Sequence, residues 1–116
     1  MSDNIHSIFK KIIDRKEPAQ IIYEDDQAIA IMDKFPYNPG HFLVIPKKHS
    51  TNLKDIEEQS INHLMKIAIK LAKEKIENKE FEDFKLIINN GEKAGQVVYH
   101  THIHIIPFRK KEGHEH

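Results

Sequence analysis

Three histidines occupy alternate positions, His100, His102 and His104, inside an apolar run that extends from Val97 to Pro107. Successive side chains of a β-strand point to opposite faces, so the run predicts a strand with all three imidazoles on one face. Neighbouring imidazoles would then stand roughly 7 Å apart, close enough to serve one ligand. Burial of both faces would desolvate the imidazoles, so we expect the histidine face to meet a pocket or water.

Imidazole is the side chain best suited to nucleophilic or proton-transfer chemistry near neutral pH, because its unperturbed pKa is about 6.5. The spacing alone is a weak signal, since nine histidines in 116 residues produce it by chance in about one chain in twenty. A functional face would need other loops to converge on it. His41 follows Pro39-Gly40 and opens a predicted strand, Asn89 precedes the turn before the histidine run, and Gln96 follows Gly95.

Each of these loop residues also has a purely structural interpretation. His41 suits a strand edge, and Asn89 leads into an ordinary Asn-Gly turn. Gln96 and the backbone beside it could instead offer donors to an anion next to the histidines. Asp33, just past the second predicted strand, could accept hydrogen bonds from sugar hydroxyls or cap its own loop. The residues alone leave these alternatives open.

Composition narrows the class of protein. The 18 basic and 18 acidic residues are mixed along the chain and the formal charge is zero, which gives no electrostatic case for nucleic acid or an anionic membrane as the partner. The absence of cysteine excludes disulfides and thiol catalysis. No apolar stretch approaches the ~20 residues of a membrane span, and the N-terminus lacks a signal-like apolar segment. We therefore expect a soluble, cytoplasmic protein.

The periodicity of apolar residues predicts one α+β domain over residues 5–108, followed by a charged tail over 109–116. The first helix is expected to have Asn4 as its cap and to run to about Asp14. A longer helix, with Ser60 as its cap, carries an apolar stripe from Ile61 to Ile76. Five strands of an antiparallel sheet are expected at residues 20–24, 28–32, 41–46 and 85–89 and in the histidine run.

Metal binding is the main rival interpretation of the three histidines, since three imidazoles can hold Zn²⁺. The outer two rings of such a strand stand roughly 13 Å apart at their bases, which makes a poor tripod. A further ligand would have to come from elsewhere, because the chain has no cysteine and no Asp or Glu lies between Val97 and Arg109. We therefore expect no metal and no other cofactor.

The segment His100-Thr101-His102-Ile103-His104-Ile105-Ile106 resembles the signature of the histidine triad (HIT) family, His-x-His-x-His followed by two apolar residues. Residues 8–13, 23–26, 39–49 and 89–99 are similar to the nucleoside-phosphoramidase (Hint-like) branch of that family. The resemblance covers nearly the whole chain from Ile8 to Pro107. It implies a HIT-like α+β homodimer, with a five-stranded antiparallel sheet in each protomer, that binds a purine nucleotide against the triad.

The resemblance also implies a role for each site residue. His102 would attack the α-phosphorus and form a nucleotidyl-histidine that water then hydrolyses. His100 and His104 would orient it and donate to phosphate oxygens, and His41 would stabilise the phosphate or the leaving group. In the nucleotide pocket, Asp33 resembles the ribose-binding acid, Asn89 and Gln96 the polar residues beside the phosphate, and Ile8, Phe9 and Ile31 the apolar wall around the base.

The sequence departs from the family pattern at several positions. Ser7 and Lys10 stand where zinc-binding relatives carry two cysteines, so we expect that zinc site to be absent. Val97 stands where the eukaryotic Hint branch carries a phosphate-contacting serine, and residues 109–116 do not resemble the usual C-terminus. Three functions remain open: a nucleoside phosphoramidase, a dinucleoside polyphosphate hydrolase, and a slow nucleotide-binding regulatory module.

Overall fold

The protein folds as a five-stranded antiparallel sheet with one helix against each face, in a computed structural model that describes residues 7–110. In chain order the elements are α1 (Ile8–Ile13), β1 (Ile21–Glu24), β2 (Ala28–Met32), β3 (Phe42–Pro46), α2 (Glu58–Glu77), β4 (Asp83–Ile87) and β5 (Ile103–Phe108). The strand order is β1-β2-β3-β5-β4. The predicted α+β architecture, a five-stranded antiparallel sheet with a short N-terminal helix and one long helix, is confirmed.

The two faces of the sheet bury different halves of each strand. On β3, Phe42 and Val44 face α2, while Leu43 and Ile45 face α1. Helix α2 buries a stripe at helical spacing that runs from Leu64 to Ala72. On β5, Ile103 and Ile105 join the α2 side, so His104 between them faces the α1 side of the sheet. The site therefore forms on the face that carries the short helix.

The expectation of a strand through all three histidines is wrong. Strand β5 begins at Ile103, so His100 and His102 precede it and only His104 lies in the sheet, where it pairs with Leu43 and Ile87. The neighbouring strand β3 ends at Pro46, which has no N–H to donate to a longer ladder. The backbone before β5 bonds instead to a loop, through Thr101 N and the carbonyl of Ser50 at 2.8 Å.

Several predicted boundaries also move. Helix α1 begins at Ile8 with Ser7 as its N-cap, because Ser7 has an extended backbone and its hydroxyl accepts a hydrogen bond from Lys10 N. The predicted cap Asn4 lies outside the described residues. Helix α2 begins two residues before the predicted cap Ser60. Strand β4 lies two residues earlier than expected, which leaves Asn89 in the loop that follows it. Within residues 7–110, neither helix is long and apolar enough to cross a bilayer.

Asp25 fastens the β1–β2 hairpin to α2. Its carboxylate accepts hydrogen bonds from the backbone N–H groups of Gln27 and Ala28, from the Tyr23 hydroxyl, and from His63 on α2, at 2.7–2.8 Å. Burial would raise the pKa of this carboxyl, but these hydrogen bonds outweigh it and hold the pKa well below its ordinary value. The charged form of Asp25 is therefore the one that stabilises the fold.

Replacement of Asp25 by Ala should lower the free energy of unfolding by about 1–3 kcal/mol, because it leaves four donors without their acceptor. Asp26→Ala, in the same turn but exposed, is the matched control and should stay within about 0.5 kcal/mol of the wild type. A depressed folded pKa contributes stability that is complete above the unfolded value near 4 and is lost as pH falls further. Urea unfolding should thus show the Asp25 effect shrinking below pH 4; equal losses in both variants would contradict it.

Candidate active site

Four imidazoles lie in one row on the α1 side of the sheet. The rings of His102 and His104 are 4.8 Å apart between centroids, and His104 Nδ1 lies 3.0 Å from His41 Nε2. His100 adjoins His102 through its backbone carbonyl. Strand β5 positions His104, and the loop that leads from β2 to β3 positions His41. The structure thus brings the four predicted catalytic histidines together, although only His104 is on a strand.

The tautomer of His102 follows from its partner. His102 Nδ1 lies 2.7 Å from the carbonyl oxygen of His100, and a carbonyl only accepts, so Nδ1 carries the proton. The lone pair of the neutral ring is therefore on Nε2. Burial lowers the pKa of His102, and the Phe9 ring packs against it in a T-shaped arrangement with centroids 4.9 Å apart. His102 is consequently a neutral, oriented imidazole with a nucleophilic nitrogen at pH 7.

His100 is fully engaged inside the protein. Its Nε2 donates to the carbonyl of Pro46 at 2.9 Å, and its Nδ1 accepts from the Ser7 hydroxyl at 3.3 Å. Burial lowers its pKa to about 4, which keeps the ring neutral. Both ring nitrogens are occupied, so this geometry leaves the ring no donor for a phosphate oxygen. His100 acts on the site through its carbonyl, which orients His102.

A relay of hydrogen bonds fixes the protons of His41 and His104. The backbone N–H of Tyr37 donates to His41 Nδ1 at 3.0 Å, so the proton of the neutral His41 ring lies on Nε2. That proton is donated to His104 Nδ1, and the proton of His104 therefore lies on its Nε2. Burial lowers the pKa of His104 to about 4, so it remains neutral at pH 7. His104 then offers an N–H donor next to the His102 ring.

Asp33 supplies the negative charge of this row. Its Oδ2 lies 3.4 Å from His41 Nε2, and its Oδ1 accepts from the backbone N–H of Phe35 at 2.9 Å. Burial lowers the pKa of His41, while the charge of Asp33 acts in the opposite direction. The carboxylate lies at the end of β2, where the resemblance puts the ribose-binding acid.

Asp33, His41 and His104 also bring three ligand atoms within 4.8 Å of one another, which raises the question of a metal ion. A metal would need the lone pair of His41 Nε2, but that nitrogen carries the proton because Nδ1 already accepts from Tyr37 N–H. Moving the proton to Nδ1 would set two donors against each other. The donor set therefore fits hydrogen bonding better than metal coordination. Ser7 and Lys10 stand where zinc-binding relatives carry two cysteines. Ser7 bonds to His100 and Lys10 pairs with Asp14, and neither supplies a zinc thiolate.

The predicted nucleotide-binding residues differ in how far they are exposed. Phe9 is buried against His102, and Ile31 is also buried, with 3% of its surface exposed. Ile8, by contrast, is 39% exposed. Asn89 is half-buried and lies two residues beyond Ile87, the partner of His104. Gln96 is a loop brace: its amide nitrogen donates to the carbonyls of Thr51 and Val98, and its oxygen accepts from Asn52 and Gly91. All four hydrogen-bonding positions of that amide are in use.

Two contributors were not identified from the sequence. Ser7 caps α1 and also bonds to His100, 93 residues away along the chain. A serine before an apolar helical run is a recognised N-cap signal, so its local role was open to prediction. His49 packs edge-on to the His100 ring with centroids 4.9 Å apart and bonds to the carbonyl of Tyr99. No local pattern indicates that second contact.

An NMR titration tests the neutral state of the row. The imidazole resonances of His100 and His104 should shift with midpoints near pH 4, against about 6.5 for an unperturbed histidine. The unfolded chain takes up these protons near pH 6.5 and the folded chain only near pH 4, so stability should fall as pH drops between the two. A midpoint at or above 6.5 for His104 would contradict the assigned relay.

The sequence is similar to known proteins over most of its length. Residues 14–111 match the HIT domain family. An uncharacterised 13.1 kDa HIT-like protein of Mesomycoplasma hyorhinis is 47% identical over 104 residues, which span 90% of this chain and 94% of that protein. The adenylylsulfatase HINT3 of Arabidopsis thaliana is 35% identical over 105 residues, which span 90% of this chain and 53% of that protein.

The fold has close counterparts among solved structures. The crystal structure of a Hit-like protein from Bartonella henselae, described as involved in cell-cycle regulation and as holding an unknown ligand, superposes with a TM-score of 0.85 at 40% sequence identity. The match covers 92% of this chain and 81% of that one. A matched domain, a shared fold and a row of neutral histidines lead to one conclusion: this chain belongs to the histidine triad (HIT) family of nucleotide hydrolases and transferases.

Proposed function

We propose that the protein hydrolyses nucleoside 5′-phosphoramidates, through a nucleotide bound covalently to His102 Nε2, and releases a nucleoside monophosphate. The observation that carries the proposal is the hydrogen bond from His102 Nδ1 to the carbonyl of His100, which leaves a lone pair on Nε2. A neutral imidazole needs no metal to act as a nucleophile, and a covalent step divides one difficult displacement into two easier ones.

The proposed first step forms a bond from His102 Nε2 to the α-phosphorus and breaks the P–N bond. The amine leaves with the bonding electron pair and takes its proton from water. As the His102 ring becomes positively charged, its Nδ1–H bond to the His100 carbonyl strengthens. The N–H of His104 stabilises negative charge on the phosphate oxygens. Water then attacks the phosphorus and gives its proton to the hydroxide left by the first step; the P–Nε2 bond breaks, which releases the nucleotide and restores the neutral ring.

The proposed nucleotide site lies around the same row. Phe9 and Ile8 at the start of α1 would meet the base, and the carboxylate of Asp33 would accept from the ribose hydroxyls. Asn89 lies beyond β4 on the side of His104 and would contact the phosphate. The buried Ile31 would support Phe9 from behind, and Gln96 would hold the loop that precedes the triad. We propose a purine nucleotide as the partner.

Adenylylsulfate is a second candidate substrate, favoured by the 35% identity to the Arabidopsis adenylylsulfatase. Sulfate is a weakly basic leaving group that departs without a proton, which suits a neutral His104. Two further alternatives are hydrolysis of dinucleoside polyphosphates and a regulatory role in which the protein binds nucleotide but turns it over slowly. Rates measured side by side on adenosine 5′-phosphoramidate, adenylylsulfate and diadenosine polyphosphate separate the hydrolases, and negligible rates on all three, with nucleotide still bound, would favour regulation.

His102→Ala should reduce turnover by at least about 10³-fold on every nucleotide that the wild type hydrolyses, because it removes the covalent nucleophile. Nucleotide binding, measured by calorimetry with a nucleoside monophosphate, should be largely retained. His63→Ala is the matched control, since His63 lies on α2 and bonds to Asp25. Asp33→Asn should mainly weaken binding. Turnover close to wild type in His102→Ala would overturn the mechanism.

We also propose that the protein is a cytoplasmic homodimer. Ile69 on α2 is 41% exposed and lines a shallow groove of about 460 Å³, flanked by Lys66, Lys70 and Lys73. The groove is on the side of α2 that faces away from the sheet, whereas His104 faces the opposite side of the sheet. The dimer itself is implied by the resemblance to the family, and Ile69 is the exposed apolar side chain that α2 would contribute to its interface.

Sedimentation should give a dimer at micromolar concentration, and Ile69→Glu should convert it to a monomer because a charge would enter the interface. Leu53→Glu is the matched control, since Leu53 has similar exposure, 38%, but lies in a loop. A wild-type monomer, or dissociation in both variants alike, would count against the proposed interface.

A further inference from the structure

A type II turn holds His41 in place. His41 N donates to the carbonyl of Asn38 at 3.1 Å, with Pro39 second in the turn and Gly40 third at φ +92°. Proline at the second position and a positive φ at the third define this turn type. Types I and II differ mainly by a flip of the central peptide, so the direction of the Pro39 carbonyl decides which turn forms.

Arg109 holds that carbonyl. Its Nη1 donates to the oxygen of Pro39 at 2.7 Å, while its Nε donates to the oxygen of Glu80 at 2.8 Å. The positive φ of Gly40 favours glycine, and a Cβ added there would crowd Arg109 Nη2 at 3.0 Å. Asn38 holds the turn from the other side, through a bond from its Nδ2 to the carbonyl of Pro107 at 2.8 Å.

The turn determines which ring nitrogens carry the protons in His41 and His104. It places the backbone N–H of Tyr37 on His41 Nδ1, and this bond makes His41 Nε2 a donor to His104. We propose that Arg109 is a positioning residue: by holding the Pro39 carbonyl it fixes which nitrogen carries the proton in His41 and, through His41, in His104.

The opposite tautomer would damage the site. If the turn relaxed and Tyr37 N–H left Nδ1, His41 could carry its proton there and expose a lone pair on Nε2. His104 would then donate from Nδ1 and keep its own lone pair on Nε2. A donor toward phosphate would become an acceptor, which repels anionic oxygens. Arg109, just after β5, thus determines whether His104 presents an N–H donor or a lone pair to a phosphate.

The test compares Arg109→Ala and Arg109→Lys with Arg15→Ala, the variant of the only other arginine in the chain. Arg15 also bonds to a main-chain carbonyl, that of Ile12, and pairs with Glu24, but neither contact touches the turn. The first readout is the ¹⁵N shift of the His41 and His104 ring nitrogens without substrate. The second is kcat and KM for the best nucleotide substrate, and this kinetic part rests on the proposed function.

Arg109→Ala should change the ¹⁵N pattern toward mixed tautomers and lower kcat by at least about tenfold, with a smaller change in KM. Arg109→Lys keeps one donor for Pro39 and should recover part of both, and Arg15→Ala should match the wild type. Asn38→Ala releases the turn from its other side and should shift the same resonances, which provides the test if Arg109→Ala fails to fold.

A wild-type ¹⁵N pattern in the folded Arg109 or Asn38 variant, or an equal change in Arg15→Ala, would overturn the proposal. A protein that hydrolyses no nucleotide would refute the proposed function but leave the tautomer test intact.

Discussion

The hydrogen bond between His102 Nδ1 and the carbonyl of His100 depends on the chain leaving the sheet just before β5. In a continued strand, the backbone carbonyls lie in the plane of the sheet and accept hydrogen bonds from the neighbouring strand, so they do not reach the side chains on either face. Here Pro46 ends the neighbouring strand, and the freed backbone turns its carbonyl to an imidazole two residues later. The side chain that we propose as the nucleophile therefore receives its tautomer from the backbone of the same segment.

Backbone groups assign the ring protons of three histidines in the row directly, and the proton of His104 follows from its bond to His41. Tyr37 N–H sets His41 and then His104, the carbonyl of Pro46 sets His100, and the carbonyl of His100 sets His102. Burial lowers the pKa values of all four rings, so neutral imidazoles persist and their tautomers matter. A row of this kind can present one lone pair and one N–H to a substrate without a metal. The same assignments explain why the Asp33, His41 and His104 atoms are close without favouring metal coordination.

Local patterns predicted most of the fold, and the resemblance singled out four histidines that the structure brings together. Strands β2 and β3 lie within one residue of their expected bounds, because apolar runs between Asp, Gly and Pro residues have few other readings. The histidine run misled because alternation predicts a strand but says nothing of hydrogen bonds from imidazole to backbone. Gln96 was expected beside a phosphate, and its four bonds to the surrounding loops arise only when distant segments meet. The contacts of Ser7 with His100 and of Arg109 with Pro39 span the chain in the same way.

The central claim is that His102 Nε2 forms the covalent bond to phosphorus, and direct mapping of the adduct tests it. The protein would be mixed with an excess of the best substrate, stopped with alkali within one turnover, digested and examined by mass spectrometry and ³¹P NMR. The account predicts a nucleotide on His102, attached through Nε2, whose amount rises and falls with turnover. An adduct on Nδ1 or on another histidine, or hydrolysis at the wild-type rate without any adduct, would contradict it.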